Sequence, residues 1–114
     1  MAGMLYLVPT PIGNLGDISK RARETLESAD FIAAEDTRVT LKLLNHLELK
    51  KPLVSYYEHN KSFKGEKILD RILSGETCAL VSDAGSPAIS DPGEDLVKQC
   101  AAAGITVCAI PGPC

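Results

Sequence analysis

The sequence predicts an α/β domain: a Rossmann-like, mostly parallel five-stranded sheet flanked by helices. Three observations lead there. Five short apolar runs of strand length alternate with four amphipathic helical patterns, as in a chain of β-α-β units with right-handed crossovers. The runs are almost continuously apolar, the signature of strands covered on both faces. Rigid loops of proline, glycine and acid repeatedly follow the apolar runs, where ligand sites of open α/β sheets lie.

The first strand is Met4 to Val8. The turn after it, Pro9-Thr10-Pro11-Ile12-Gly13-Asn14-Leu15-Gly16-Asp17, has too few glycines for the G-x-G-x-x-G dinucleotide fingerprint. Asp17 or Ser19 caps a helix reaching Ala29, with Ile18, Ala22, Leu26 and Ala29 along one face. Phe31 to Ala34 form the second strand. A second helix follows from about Thr37 to Leu47, its Leu41, Leu44 and Leu47 stripe read as core. The third strand is Leu53 to Tyr56, and the third helix covers about Ser62 to Leu73, with Ile68, Leu69, Ile72 and Leu73 inward and Gly75 as its stop. Cys78 to Val81 is the fourth strand. Asp91, Pro92 and Glu94 then suit the N-cap, first position and capping box of a helix through Ala103 that ends at Gly104. Ile105 to Ile110 is the last strand, and Pro111-Gly112-Pro113-Cys114 reads as the start of a further segment.

At 114 residues the chain makes one small domain with a single core. Hydrophobic content of 45% with 24% charged residues is ordinary for a soluble domain, and no apolar run reaches the roughly 18 residues of a membrane span. The first apolar run lacks a preceding basic region, so a cytoplasmic protein is expected. Cys78, Cys100, Cys108 and Cys114 form no Cys-x-x-Cys pair, and His46 and His59 have no second ligand at metal-binding spacing, so no metal site is expected. The net charge of -3 is unevenly spread. Residues 38–67 carry Arg38, Lys42, Lys50, Lys51, Lys61, Lys64 and Lys67 against Glu48, Glu58 and Glu66, whereas residues 76–114 are acidic. A basic middle is a hint of phosphate binding.

The chemistry-bearing residues cluster after the strands. In Val81-Ser82-Asp83-Ala84-Gly85-Ser86-Pro87-Ala88-Ile89-Ser90-Asp91-Pro92-Gly93, glycines permit close backbone approach and prolines stiffen the path. Asp83 either points into the cleft as a ligand contact or caps its own turn as an Asx motif. After the second strand come Glu35, Asp36, Thr37 and Arg38: Asp36 or Thr37 suits a helix cap, and Arg38 suits a phosphate. After the third, Tyr56 and Tyr57 are candidates for stacking on a base, and Glu58 or His59 for accepting a proton from a hydroxyl.

The segments Leu5 to Asp17, Glu35 to Arg38, Tyr56 to Asn60 and Val81 to Gly93 together resemble the amino-terminal half of the tetrapyrrole (corrin/porphyrin) methylase superfamily. Within it, the resemblance is to the branch that methylates small-subunit ribosomal RNA. It implies S-adenosyl-L-methionine as cofactor and the ribose 2′-hydroxyl of a cytidine as acceptor. It further implies a homodimer whose cleft lies between two α/β domains, of which residues 1–114 are the first and the second is absent. Cofactor contacts would be Ile12, the loop Asp83, Ala84, Gly85, Ser86 and Pro87, and then Pro113 and Cys114. Substrate contacts would be Thr10, Asn14, Arg38, Tyr56, Tyr57 and Asn60, with Glu35, Asp36, Glu58 and His59 as candidate general bases. The partner would be the small ribosomal subunit, with no membrane or DNA involved, and the isolated domain would not turn over. Two other readings stay open: a C-methyltransferase of a tetrapyrrole such as precorrin or uroporphyrinogen, and a non-catalytic module binding RNA or a nucleotide.

Overall fold

The computed structural model describes residues 3–9, 18–35, 37–56, 61–82 and 93–110. Five strands and four helices alternate along them: β1 (Met4–Pro9), α1 (Lys20–Ser28), β2 (Phe31–Ala34), α2 (Thr37–His46), β3 (Leu53–Ser55), α3 (Lys61–Leu73), β4 (Cys78–Ser82), α4 (Gly93–Ala102) and β5 (Thr106–Ala109). The strands pair in parallel in the order β3-β2-β4-β1-β5. This is the Rossmann-like α/β sheet that the alternation of elements predicts.

The sheet is buried on both faces, and residue parity along the strands decides which side chain goes where. Leu5, Leu7, Phe31, Ala33, Cys78 and Leu80 pack beneath α3 and α4 with Ile68, Ile72, Leu96 and Cys100. Their neighbours Val8, Ile32, Ala34, Ala79 and Val81 pack on the other side against Ala22 and Leu26 of α1 and Leu43 and Leu44 of α2. The division follows from handedness. Right-handed crossovers stepping from β1 to β2 to β3 place α1 and α2 on one face; the return through β4 to β5 places α3 and α4 on the other.

Local chemistry sets the helix ends. Ser19 is the cap of α1, its Oγ accepting from the Ala22 amide at 3.1 Å. After α3 and α4 the chain turns through Gly75 at φ 115° and Gly104 at φ 79°, a backbone region that glycine enters without a Cβ penalty. Helix α2 ends instead at Glu48, with φ 60°, whose amide donates to the Asn45 carbonyl at 3.1 Å while the Leu49 amide donates to Leu44 at 2.9 Å. Two apolar expectations are corrected here. Leu41 is half exposed, because Thr40, Leu43, Leu44 and Leu47 form the inward face of that helical segment, and Leu73 stands exposed as the last residue of α3.

The amino-terminal rim of the sheet is tied by polar contacts. Arg71 grips Glu76 through two hydrogen bonds, Nε to Oε2 at 3.0 Å and Nη2 to Oε1 at 2.9 Å, and its guanidinium lies 3.7 Å from the Phe31 ring centroid. The Thr77 amide donates to Asp30 Oδ2 at 2.8 Å, and the Gly3 amide to the Ile72 carbonyl at 2.7 Å. The hydrogen bond from Arg71 holds the Glu76 carboxyl below the ordinary glutamate range.

Two outcomes follow for stability. Glu48→Gly relieves the left-handed conformation and raises stability by up to about 1 kcal/mol, the relief exceeding the added chain entropy of glycine, as urea denaturation will read. Because the Glu76 carboxyl titrates lower in the folded than in the unfolded chain, its contribution is present above the unfolded pKa and is lost as pH falls through the folded one. The stability gap between wild type and Glu76→Gln therefore narrows in paired denaturation curves as pH falls from neutral into and below the ordinary glutamate range.

Candidate functional site

Parallel pairing throughout brings all five carboxyl ends to one rim. Strand β1 sends its connection toward β2, on the far side of β4, while β4 sends its own toward β5, on the far side of β1. Neighbouring strands whose connections depart in opposite directions open a crevice between them, the position at which open α/β sheets bind ligands. Here the last residues of the two strands are register partners, Pro9 opposite Ser82. The chain leaves both strands at this reversal of winding, toward segments 10–17 and 83–92, which lie outside the described residues.

The flanking strands add to the same rim. On one side Ala34 lies opposite Val81 and is followed by Glu35, which is exposed. Thr37 opens α2 directly after, so the exposed Arg38 stands in the first turn of that helix, next to the end of β2. On the other side the Ile110 amide donates to the Leu7 carbonyl at 2.9 Å, carrying pairing one residue beyond β5. Glu35 and Arg38 thus stand at the carboxyl rim.

Tyr56 is different. Its amide donates to the Ala34 carbonyl at 2.9 Å, but its side chain is fully buried in the α3–α4 core. A Cβ added at Gly65 of α3 would meet Tyr56 Cε1 at 3.5 Å, an ordinary van der Waals contact that places the ring directly against this helix. The expectation that Tyr56 stacks on substrate is corrected: its ring is a core element with no free face. Of the remaining candidates, Thr10, Ile12, Asn14, Asp36, Tyr57, Glu58, His59, Asn60, Asp83, Ala84, Gly85, Ser86, Pro87, Pro113 and Cys114 lie outside the described residues.

The thiols Cys78 and Cys100 are free and buried in one cluster. Burial pushes Cys78 far above the ordinary thiol range, with Cys100 nearby adding to it, and pushes Cys100 up to about 11. Both stay protonated at neutral pH and pack as small hydrophobes. Among the described residues no group of three or more His, Cys, Asp or Glu is placed to hold a metal ion. An open groove of about 480 Å³ beside β5, lined by Tyr6, Arg21, Glu24, Thr25, Ser28 and Ile110, runs along the α1 face.

Comparison with known proteins shows the family. Residues 4–114 match the family described as Tetrapyrrole (Corrin/Porphyrin) Methylases. The chain belongs to the tetrapyrrole methylase family. Among curated members, it is 59% identical over 110 residues to the "Ribosomal RNA small subunit methyltransferase I" of Halalkalibacterium halodurans, covering 96% of this chain and 38% of that protein. It is 57% identical over 110 residues to the protein of the same name from Bacillus subtilis, covering 96% and 38%. The chain thus spans about two-fifths of the length of the curated relatives it matches. Solved structures of lower identity share the fold of this methylase domain. One is a uroporphyrin-III-C-methyltransferase from Thermus thermophilus, with TM-score 0.73 at 22% identity, over 98% of this chain and 48% of that one. Another is a diphthine synthase, with TM-score 0.75 at 17% identity, over 96% and 44%.

The assignment of Tyr56 to the core has a measurable consequence. Tyr56→Ala costs about 3–5 kcal/mol of unfolding free energy, the range for emptying a large aromatic site, in a denaturant titration.

Proposed function

We propose that the protein carrying this domain is an S-adenosyl-L-methionine-dependent methyltransferase that modifies the ribose 2′-hydroxyl of a cytidine in small-subunit ribosomal RNA. Residues 1–114 are its amino-terminal domain, a second α/β domain completes the cleft, and the enzyme works in the cytoplasm as a homodimer. The observation that carries the reading is the adjacency of Pro9 and Ser82 at the winding reversal, in a chain whose curated relatives at 50–59% identity bear the name of a small-subunit RNA methyltransferase. The low-identity C-methyltransferase neighbour supports the fold and not a tetrapyrrole acceptor.

The residues present suit the cofactor. The reversal supplies a crevice, and small side chains, Ala33 and Ala34, fill the neighbouring end of β2. Asp83 to Pro87 and Ile12 would hold the cofactor from the β4 and β1 sides, and Pro113 and Cys114 from the β5 side. S-adenosylmethionine supplies, when bound, an electrophilic methyl group. The protein's task is then positional, because holding donor and acceptor at attack distance is worth up to roughly 7–11 kcal/mol in favourable cases. The acceptor hydroxyl also needs its proton drawn away. Glu35, exposed at the end of β2, is the one described candidate for that role; Asp36, Glu58 and His59 are the other candidates. Arg38, with Thr10, Asn14, Tyr57 and Asn60, would hold the nucleotide and its phosphates.

Two measurements test the reading on the full-length protein. With labelled cofactor, naked small subunits take up label on a ribose while uroporphyrinogen and precorrin do not; label on a tetrapyrrole, or none on RNA, overturns it. In a calorimeter, Asp83→Ala weakens cofactor binding at least about tenfold, equivalent to about 1.4 kcal/mol, and leaves RNA affinity unchanged. The 114-residue domain alone is expected to bind cofactor weakly and transfer no methyl group.

A further inference from the structure

We propose that Phe63, with Lys64 and Lys67, forms a stacking and phosphate-binding platform for the single-stranded RNA that flanks the methylated nucleotide. The inference rests on the RNA-methylating reading above and adds a substrate-binding element that the strand-end loops do not contain.

Phe63 is 60% exposed, the most exposed of the large hydrophobic side chains among the described residues. Helix α3 turns Gly65, Ile68 and Ile72 into the core, which leaves Phe63 and Lys67, four residues apart, together on its outward face. The Lys67 Nζ lies 4.5 Å from the Phe63 ring centroid. Single exposed apolar residues are normal, so exposure by itself decides nothing. Three features set Phe63 apart from Val39, Leu41 and Leu73, which are also exposed. It alone of the four offers a π surface, on which any nucleobase can stack. Lys67 lies over one face of its ring and Lys64 follows it in the helix, two cations able to meet backbone phosphates near a stacked base. It also stands in the first turn of α3, which begins at Lys61 directly after segment 57–60, on the rim that carries the candidate site.

The chemistry favours RNA over a protein partner. An aromatic ring next to ammonium groups is the recurrent single-strand recognition pair: the ring gives sequence-tolerant stacking and the cations give salt-dependent attraction to the backbone. In the first two turns of α3, Lys61, Lys64 and Lys67 stand against Glu66. Lys67 already lies over one face of the ring, which orders the platform before RNA arrives and leaves the opposite face for a base.

The test uses the full-length protein and an unstructured cytidine-rich RNA of about twelve nucleotides, within the usual site sizes of single-strand binders. Phe63→Ala is expected to weaken binding about 5- to 150-fold, as loss of one stacked base predicts, with thermal stability and cofactor affinity unchanged. Phe63→Trp keeps the affinity. Lys64→Gln with Lys67→Gln lowers the slope of log affinity against log salt by about 1.4, as expected for two lost phosphate contacts on a single strand. If the wild type methylates small subunits and Phe63→Ala matches it in both oligonucleotide affinity and KM, the platform is overturned and the RNA-methylating reading stands. A Phe63→Ala defect confined to the assembled subunit, with oligonucleotide binding intact, overturns it in favour of a ribosomal-protein contact. A wild type that neither binds nor methylates RNA removes the underlying reading and the platform with it.

Discussion

The reversal of winding between β1 and β4 is the constraint on which the rest of this domain depends. Insertion of β4 between β2 and β1 forces the two central strands to send their connections opposite ways. That one feature divides the helices into two pairs, one on each face, and buries the central strands on both sides. It also leaves the sheet with a single place where neighbouring strand ends part, at Pro9 and Ser82. A ligand bound there meets backbone from both halves of the winding without breaking any ladder hydrogen bond.

The two rims divide the labour between stability and chemistry. At the amino-terminal rim, Arg71, Glu76, Phe31, Asp30 and Thr77 satisfy one another across the starts of β2 and β4. At the carboxyl rim the polar side chains Glu35 and Arg38 stand exposed at the edge of a dry interior. The interior supplies shape and no nucleophile, because burial keeps Cys78 and Cys100 protonated.

Much of this was legible in the letters, and the reasons are physical. Continuous apolar runs and helical periodicity survive in sequence because both faces of the sheet must be dry, so every strand and helix could be located to within a few residues. Glycine stops at Gly75 and Gly104 were equally plain. The end of α2 was not, since Glu48 adopts its left-handed conformation without being glycine or asparagine. Strand order was also hidden: apolar runs say that strands pair, and not with whom. Tyr56 misled for a related reason, because a tyrosine at a strand end reads alike whether its ring faces solvent or core, and packing against α3 decides it. Phe63 was not legible because helical periodicity marks the inward stripe of α3, whereas this residue lies opposite that stripe.

The register of β1 bears on how the chain is made. Leu5 faces Cys78 and Met4 faces Thr106, so β1 is an inner strand whose two neighbours both come much later in the sequence than β2 and β3. Loops that long are entropically costly to close, and folds dominated by such distant contacts assemble slowly. On the ribosome, β1 emerges long before either partner and presents two bare hydrogen-bonding edges in the meantime. A nascent-chain holdase that shields β1 would therefore protect this domain more than one acting on any later strand.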